Sequence, residues 1–240
     1  MVYRLAAQDT SFPPAELALR EPNGLLAVGG DLSVARLLNA YRNGIFPWFT
    51  DDDPPLWWSP DPRALFTPAS LHESRSMRRF RRRTPLRVTL NHDFAGVIRR
   101  CAEVHASQEG TWITAAMQDA YLQLHALGYA HSVEVWDQTT LVGGMYGVAI
   151  DGIFCGESMF HCSANASKLA FLSFAENFFT AGGKLLDAQV PNAHLVSLGQ
   201  IEMPRAQFLY LVRHFRENQR SVSPDFWKPR VLNHKSSGNL

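Results

Sequence analysis

The pattern of apolar and polar positions predicts a hairpin, a helix and a strand between residues 140 and 190. Asp151-Gly152 separates two apolar runs, and an Asp-Gly step in that position is typical of a two-residue hairpin turn. Residues 140–150 and 153–160 are therefore predicted to pair as antiparallel strands. Apolar residues then recur at helical spacing over residues 165–180, ahead of two glycines that end the helix, and residues 184–190 are predicted to form a short buried strand.

The same patterns predict the order of elements elsewhere. Ser70-Leu71-His72-Glu73 has the spacing of a capping box and is predicted to begin a helix that ends before Pro85. From Leu86 onward the predicted order is β-α-α-β-β-β-α-β-α-β. The remaining predictions are helices over residues 33–43, 93–104, 114–127 and near 194–198, strands over 86–90 and 131–136, and a closing strand and helix through 215. Pro60-Asp61-Pro62 predicts the boundary between a small N-terminal α+β domain (1–62) and a larger domain (63–240).

Three polar residues interrupt the predicted apolar strands. Because an unpaired buried carboxylate is very costly, Glu157 and Asp187 each need a partner inside the fold or a place in a substrate cleft, and Gln189 lies beside them. Strand alternation predicts two sets that each share a face: Ile153, Cys155, Glu157 and Met159, and Leu185, Asp187 and Gln189.

The charge is unevenly distributed, although the net formal charge is only +1. Seven arginines and no acid fall between Arg75 and Arg87, and the remaining 16 basic and 22 acidic residues leave a balance of −6. Four of these arginines share one helical face at i, i+3, i+4 and i+7: Arg75, Arg78, Arg79 and Arg82. Such a stripe is typical of a surface that binds the phosphate backbone of a nucleic acid. It contributes to binding affinity but does not discriminate between base sequences.

The composition favours a cytoplasmic protein with no metal. The 240 residues are 46% hydrophobic, without a membrane-spanning run or the apolar core of a signal peptide, and the three cysteines are an odd number. Cys155, His161 and Cys162 match no four-ligand zinc spacing, and Cys155 has no cationic neighbour in the sequence to activate it as a nucleophile. We expect a monomer that has no cofactor and does not bind membranes.

The order of elements resembles the acyltransferase fold of the N-acetyltransferase (GNAT) superfamily, an α+β fold with a mixed sheet flanked by helices. In that fold, the strands corresponding to 152–160 and 184–190 splay apart and admit the acyl donor. Coenzyme A enzymes of this fold carry a glycine loop before the following helix, whereas HCSANASKLA here contains no glycine. An acyl-CoA-dependent N-acyltransferase is therefore disfavoured but stays as an alternative, as does an RNA-binding protein without enzymatic activity.

Several longer stretches, spread over residues 12–230, carry a more specific resemblance. They read EPNGLLAVGGDLS, YRNGIFPWF, LWWSPDPRA, GTWIT, HSVEVW, LVGGMYGV, FCGESMF, NASKLAF, GGKLLDAQ and SLG. In these stretches the chain resembles the leucyl/phenylalanyl-tRNA–protein transferase family. The resemblance implies transfer of Leu, Phe or Met from aminoacyl-tRNA to the α-amine of acceptor proteins that begin with Arg or Lys. The modified protein is then read by the N-end rule degradation machinery.

The resemblance also implies roles for individual residues. Gln189 accepts a hydrogen bond from the attacking amine, Asp187 polarises and orients Gln189, and Glu157 holds the donor's ammonium group. Trp48 and Trp112 match the tryptophans near the terminal adenosine, and the arginine stripe contacts the tRNA backbone. The aminoacyl pocket is implied to comprise Met145, Phe154, Met159, Phe171, Phe174, Phe178 and Leu186. From composition alone these apolar residues would be ordinary core.

Overall fold

The computed structural model describes residues 1–106, 112–218 and 222–233, which form two β-sheets and the helices that cover them. Gly110 and Thr111 of the GTWIT stretch lie outside the described residues. The same is true of residues 107–109, 219–221 and 234–240 of the predicted larger domain.

The first sheet contains four short strands in the order β1-β2-β4-β3. Its elements are β1 (Tyr3–Leu5), β2 (Leu25–Gly29), helix α1 (Val34–Arg42), β3 (Phe46–Pro47) and β4 (Leu56–Trp58). The hydroxyl of Ser33 caps α1 by accepting the Arg36 N–H. Trp57 is fully buried and donates its indole N–H to the carbonyl of Gly29 at 2.9 Å, which locks β4 onto β2.

The second sheet contains eight strands in the order β11-β5-β10-β9-β8-β7-β6-β12. Its elements in chain order are β5 (Arg63–Phe66), α2 (Arg75–Arg83), β6 (Arg87–Leu90), α3 (Phe94–Ala106), α4 (Ala115–Ala126), β7 (Ala130–Asp137), β8 (Thr140–Ile150), β9 (Ile153–His161), α5 (Ala166–Thr180), β10 (Leu185–Gln189), α6 (Ala193–Val196), β11 (Ile201–Met203), α7 (Arg205–Glu217) and β12 (Arg230–Val231). The sheet is mixed, because β9 and β10 run parallel while its other neighbours are antiparallel.

The predicted order of elements from Leu86 onward is confirmed, and so is the hairpin. Asp151 and Gly152 both have positive φ, at 48° and 81°, as a tight hairpin turn of this kind requires, and Ile150 pairs with Ile153 across it. Strand β5 was not predicted from the sequence. This four-residue strand lies between β10 and β11, so its partners come from more than a hundred residues further along the chain.

The predicted capping box at residues 70–73 is wrong. Helix α2 begins at Arg75, and the side chain of Ser74 accepts the Met77 N–H as its cap. Ser70 instead closes a turn with Thr67, and Glu73 makes ion pairs with Arg78 and Arg81. In a capping box the Glu73 carboxylate would accept a backbone N–H, but here both of its oxygens are bound by arginine side chains.

Helices cover both faces of the large sheet. Helix α5 packs on one face, against β7, β8 and β9, while α3 and α4 pack on the other. The core beneath α3 and α4 continues into the small sheet, since Leu26 and Trp57 belong to the same buried cluster as Phe94 and Tyr121. The division into two domains at residue 62 remains a prediction. Among the described helices, none has both the length and the apolar character needed to cross a membrane.

Candidate active site

A cleft of about 670 Å³ opens where β9 and β10 separate. The two strands are paired from Leu185↔Ile153 to Asp187↔Cys155, and their register pairs stop there. Asp187 of the last pair, and Glu157 and Gln189 just beyond it, all line the cleft. The structure thus brings the three predicted polar residues together at one opening in the sheet.

Two β-bulges place the polar side chains in this opening. Tyr146 pairs with Ser158 and Gly147 with Gly156, so Glu157 is the extra residue on β9. On β10, Asp187 pairs with Leu65 and Gln189 with Ala64, so Ala188 is the extra residue. Gln189 also has a φ of 57°, which is uncommon for a residue other than glycine. Bulges re-aim side chains, and here they direct Glu157 and Gln189 toward each other.

The bulge on β9 makes one prediction about strand faces wrong. Ile153 and Cys155 point into the core beneath α3 and α4, as predicted together, but Met159 packs with the cluster beneath α5. One extra residue inverts the alternation beyond it. Met159 therefore lies on the same side of the sheet as Phe154 and Met145, where it lines the cleft.

Glu157 is the centre of a hydrogen-bond chain. Its Oε1 accepts from Nε2 of Gln189 at 3.1 Å, and its Oε2 accepts from the hydroxyl of Tyr121 at 2.9 Å. The Tyr121 hydroxyl in turn bonds the hydroxyl of Tyr41, from α1. Burial raises the pKa of Glu157 to about 7, against the effect of its tyrosine hydrogen bonds. The carboxyl group thus titrates close to neutral pH.

Asp187 has a partner that the sequence analysis did not identify. Arg63, from β5, donates to both carboxylate oxygens, at 2.8 Å to Oδ1 and 2.7 Å to Oδ2, and both side chains are almost fully buried. The Arg63 guanidinium lies over the rings of Phe46 and Phe208, at 4.9 and 4.6 Å from their centroids. Oδ1 of Asp187 also accepts the backbone N–H of Gln189 at 3.0 Å. Asp187 therefore fixes the Gln189 backbone in its left-handed conformation.

Five of the seven predicted pocket residues line the cleft: Met145, Phe154, Met159, Phe171 and Leu186. The other two, Phe174 and Phe178, are not among the described residues that line it and lie in the core below. The ring of Phe174 is 4.4 Å from that of Phe154, and Phe178 is 6.2 Å from it. They support the wall formed by Phe154.

Trp48 and Trp112 both line the cleft. Trp48 follows β3 and is 46% exposed, which is unusual for so large an apolar side chain. The indole N–H of Trp58 donates to the Trp48 carbonyl at 2.7 Å and holds the backbone there. Two tryptophans at the mouth of a cleft can stack on a planar ring.

The four arginines of the predicted stripe are exposed on α2. The helix is anchored by Met77 and by Arg81, both buried. Arg81 makes two hydrogen bonds to Glu176 of α5, at 2.7 and 2.6 Å, and one to Glu73 at 3.0 Å. One of the seven arginines in this stretch is thus a structural anchor, and the stripe itself faces solvent.

Arg63, Tyr41 and Tyr121 were not predicted from the sequence to belong to the site. A buried carboxylate needs a partner, so Asp187 required a cation, but nothing local identified one 124 residues away. Tyr41 is buried on α1, and the partner of its hydroxyl on α4 is a tertiary contact that no local pattern predicts.

Within the described ranges, no group of three or more His, Cys, Asp and Glu side chains could hold a metal ion. The three cysteines are free, and Cys155 is buried against Asp187, with its Sγ 3.5 Å from Oδ2. Burial, reinforced by the charges of Asp187 and Glu157, raises the pKa of Cys155 well above its ordinary value. A thiol in that state is a poor nucleophile.

Replacing Glu157 with Gln is expected to stabilise the protein at alkaline pH. Since the pKa of Glu157 is raised from 4.5 to about 7, the folded protein binds more protons than the unfolded chain between these values, and stability falls as pH rises through that window. Above pH 7 the cost is about 3 kcal/mol, which a neutral amide removes. Melting temperatures at pH 5 and pH 8 should show a gain for Glu157→Gln that is larger at pH 8. An equal change at both pH values would contradict the assignment, and the exposed Glu202→Gln serves as the matched control.

Comparison with known proteins identifies strong similarities along the chain. A family model described as "Leucyl/phenylalanyl-tRNA protein transferase" matches residues 65–213, and a model of the N-terminal domain of the same family matches residues 30–61. A leucyl/phenylalanyl-tRNA–protein transferase from Klebsiella pneumoniae is 57% identical over 232 residues, covering 95% of this chain and 97% of the relative. Proteins of the same name from an Enterobacter species and from Escherichia coli are 56% identical over 229 residues, covering 95% of this chain and 96% of each relative.

Solved structures match only distantly. A conserved protein of unknown function from Staphylococcus epidermidis has a TM-score of 0.43 at 8% identity, covering 75% of this chain and 68% of that one. The C-terminal domain of a putative lysylphosphatidylglycerol synthetase from Agrobacterium fabrum has a TM-score of 0.39 at 12% identity, covering 88% and 67%. Scores at this level carry no argument about fold or function.

Proposed function

The chain belongs to the leucyl/phenylalanyl-tRNA protein transferase family, and from that premise we propose that it transfers an amino acid from aminoacyl-tRNA to the amino terminus of an acceptor protein. The donors are leucyl-, phenylalanyl- and methionyl-tRNA, and the acceptors begin with Arg or Lys. The product enters N-end rule degradation in the cytoplasm, and the enzyme acts as a monomer without a cofactor. The observation that carries the proposal is the meeting of Glu157, Asp187 and Gln189 beside an apolar pocket in one cleft.

The fold proposed for this chemistry is GNAT-like, preceded by a small N-terminal domain. The parallel pair of β9 and β10 that separates beyond Cys155 and Asp187 supports a GNAT-like sheet, since that gap is where the acyl donor enters. Separate family models for residues 30–61 and 65–213 support the division at residue 62. The site draws on both sides of that division, since Trp48 lines the cleft and Arg63 pairs with Asp187, which also lines it.

The donor's side chain is proposed to enter the apolar end of the cleft. Met145, Met159 and Phe171 surround this end, with Phe154 and Leu186 from the neighbouring strands. Methionines adapt their shape, so one pocket can accept unbranched-at-Cβ side chains as different as Leu, Met and Phe. Trp48 and Trp112 are proposed to contact the terminal adenosine, which carries the aminoacyl ester.

The reaction is the aminolysis of an ester, and it needs orientation more than activation. An α-amine has a pKa near 8, so an appreciable fraction is already the neutral nucleophile at pH 7. Nε2 of Gln189 is committed to Glu157, which leaves the amide oxygen to accept a hydrogen bond from the attacking amine. Asp187 keeps Gln189 in place through its backbone, and the Glu157 carboxylate is proposed to hold the donor's ammonium group.

The amine nitrogen forms the new bond to the ester carbonyl carbon as the carbon–oxygen bond to the ribose breaks. The ribose oxygen leaves as a hydroxyl group of the tRNA, and this hydroxyl carries the proton that the amine loses. No covalent intermediate with the enzyme is required.

The proposal is tested by a transfer assay. The protein is mixed with leucyl-tRNA and a peptide beginning with Arg, and the expected result is one added leucine by mass spectrometry. The same peptide with an acetylated amino terminus is the matched control and should stay unchanged. If the peptide gains an acetyl group from acetyl-coenzyme A instead, the enzyme is an N-acyltransferase. If tRNA binds tightly without transfer, the protein is an RNA-binding protein, and either result overturns the proposal.

Replacing Arg75, Arg78, Arg79 and Arg82 together with Ala is expected to weaken tRNA binding and flatten its salt dependence. Each phosphate contact contributes about 0.7–0.9 to the slope of log K against log salt, so the slope should fall by up to about 3–4. Binding of uncharged tRNA at several salt concentrations measures this effect. A matched variant with four other exposed arginines changed to Ala, Arg4, Arg20, Arg99 and Arg216, should keep the wild-type slope. Equal slopes for the two quadruple variants would place the tRNA elsewhere.

A further inference from the structure

The described C-terminal residues 222–233, here named the C-terminal segment, follow the region matched by the family model, which ends at residue 213. The segment contains a short 3-10 helix (Pro224–Trp227) and strand β12, which pairs with β6 at the edge of the large sheet. Asn91 donates to the Trp227 carbonyl at 2.7 Å, and the Leu232 N–H donates to the Val88 carbonyl at 2.9 Å. The segment is therefore fastened to the sheet at the end of its 3-10 helix and along the strand that follows it.

The side chain of Trp227 packs into the aromatic cluster behind the cleft. Its ring stacks on His131, with centroids 3.7 Å apart and planes at 11°. It also lies nearly parallel to the ring of Phe154, at 6.2 Å and 19°, and 6.1 and 6.0 Å from Phe174 and Phe178. Phe154 lines the cleft, whereas Trp227 is not among the described residues that line it, so Trp227 packs behind Phe154 together with Phe174 and Phe178.

Phe154 has little freedom in the other directions. A Cβ added at Gly147 would lie 2.6 Å from two atoms of its ring, so the ring occupies the space that a side chain on β8 would fill. Phe174 is 4.4 Å away on a third side. Protein interiors are packed at crystal-like density, so a wall residue confined in this way can recede only as far as its support allows.

We propose that Trp227 sets the largest aminoacyl side chain that the cleft accepts, by limiting how far Phe154 can recede from it. This inference rests on the proposed transferase function. Trp227 is a positioning residue, since it acts through Phe154 and does not line the cleft. A phenylalanyl group needs more depth than a leucyl group, so the balance between these donors depends on the support behind Phe154.

The test compares two donors with the full-length Trp227→Leu protein. Values of kcat and KM are measured with leucyl-tRNA and phenylalanyl-tRNA and a peptide beginning with Arg. We expect the phenylalanyl-to-leucyl ratio of kcat/KM to rise about fivefold or more, through a lower KM for phenylalanyl-tRNA, because pocket volume on this scale changes discrimination by about tenfold or more. The kcat with leucyl-tRNA should stay within about twofold of wild type, because the polar residues of the cleft are unchanged.

Phe226→Leu is the matched control, because Phe226 belongs to the same segment and packs on Phe174, Phe178 and Trp227. Its donor ratio should stay within about twofold of wild type, whereas general loosening of the segment would shift both variants equally. An unchanged ratio in Trp227→Leu, or an equal shift in Phe226→Leu, overturns the proposal. If Trp227→Leu does not fold, Trp227→Met replaces it under the same criteria. A wild-type protein that transfers from neither donor overturns the proposed function itself, which is seen before any variant is compared.

Discussion

Replacing Arg63 with Met is expected to destabilise the protein by about 3–5 kcal/mol and to lower kcat at least about tenfold. The substitution leaves the Asp187 carboxylate buried without its partner, since both side chains are about 1% exposed or less. Asp187 then no longer holds the Gln189 backbone in a fixed position, because its Oδ1 accepts both from Arg63 and from the Gln189 N–H. Urea unfolding followed by tryptophan fluorescence measures the first effect, and transfer of leucine to a peptide at saturating donor measures the second.

A control variant at a second buried arginine, Arg36, distinguishes the loss of stability from the loss of kcat. Arg36 is fully buried, bonds Asp31 at 3.1 Å and donates to backbone carbonyls near the amino terminus, away from the cleft. Arg36→Met should lose stability but keep the wild-type kcat for the folded fraction. The double variant Arg63→Met with Asp187→Leu removes both charges and should recover part of the stability while remaining inactive. Wild-type stability and turnover in Arg63→Met would show that the ion pair has neither role.

Replacing Gln189 with Met is expected to lower kcat about a hundredfold and to change the donor KM by less than about threefold. Methionine has nearly the same length and is likewise unbranched at Cβ, so it fills the same space at the same left-handed φ of 57°. What it lacks is the amide, which bonds Glu157 and accepts from the attacking amine in the proposed reaction. Single-turnover transfer with saturating leucyl-tRNA measures the chemical step directly.

The control for this substitution is Gln200→Met. Gln200 accepts the Asn192 N–H and is not among the described residues that line the cleft, so its variant should keep the wild-type kcat. Adding Glu157→Gln to Gln189→Met should cost much less than the product of the two single effects, because the side chains act as one hydrogen-bonded unit. A large rise in donor KM at unchanged kcat would assign Gln189 to binding alone.

The predictable parts of the site depend on short-range patterns. The hairpin at Asp151-Gly152 and helix α5 could be read from turn chemistry and periodicity, because both depend on residues close together in the chain. The polar trio could also be identified, since a carboxylate or an amide inside an apolar strand is conspicuous at any position. The chemical roles assigned to these residues came from the resemblance to a family and not from the pattern.

The structure decided how those residues face each other. Period-two alternation predicts the face of each residue only while the ladder is regular, and the bulge at Glu157 inverted the prediction for Met159. No local signal marks a bulge of one residue, because the extra residue is defined by the partner strand. The left-handed backbone of Gln189 likewise depends on tertiary contacts. Its N–H donates to the Asp187 carboxylate, and its pairing with β5 is shifted by the bulge at Ala188.

By itself, the sequence determined the order of the predicted elements from Leu86 onward and the family that the chain resembles, since these depend on local patterns and on long shared stretches. It did not determine β5 or the start of α2. Only the tertiary structure decided which charges and rings meet. Arg63 pairs with a carboxylate 124 residues away, Tyr41 reaches Glu157 through Tyr121, and Phe174 and Phe178 lie one layer below the cleft wall. The physical reason is that burial and pairing are properties of the packed chain. A side chain's chemistry can be listed from the sequence, but its partner, depth and pKa depend on what the fold places beside it.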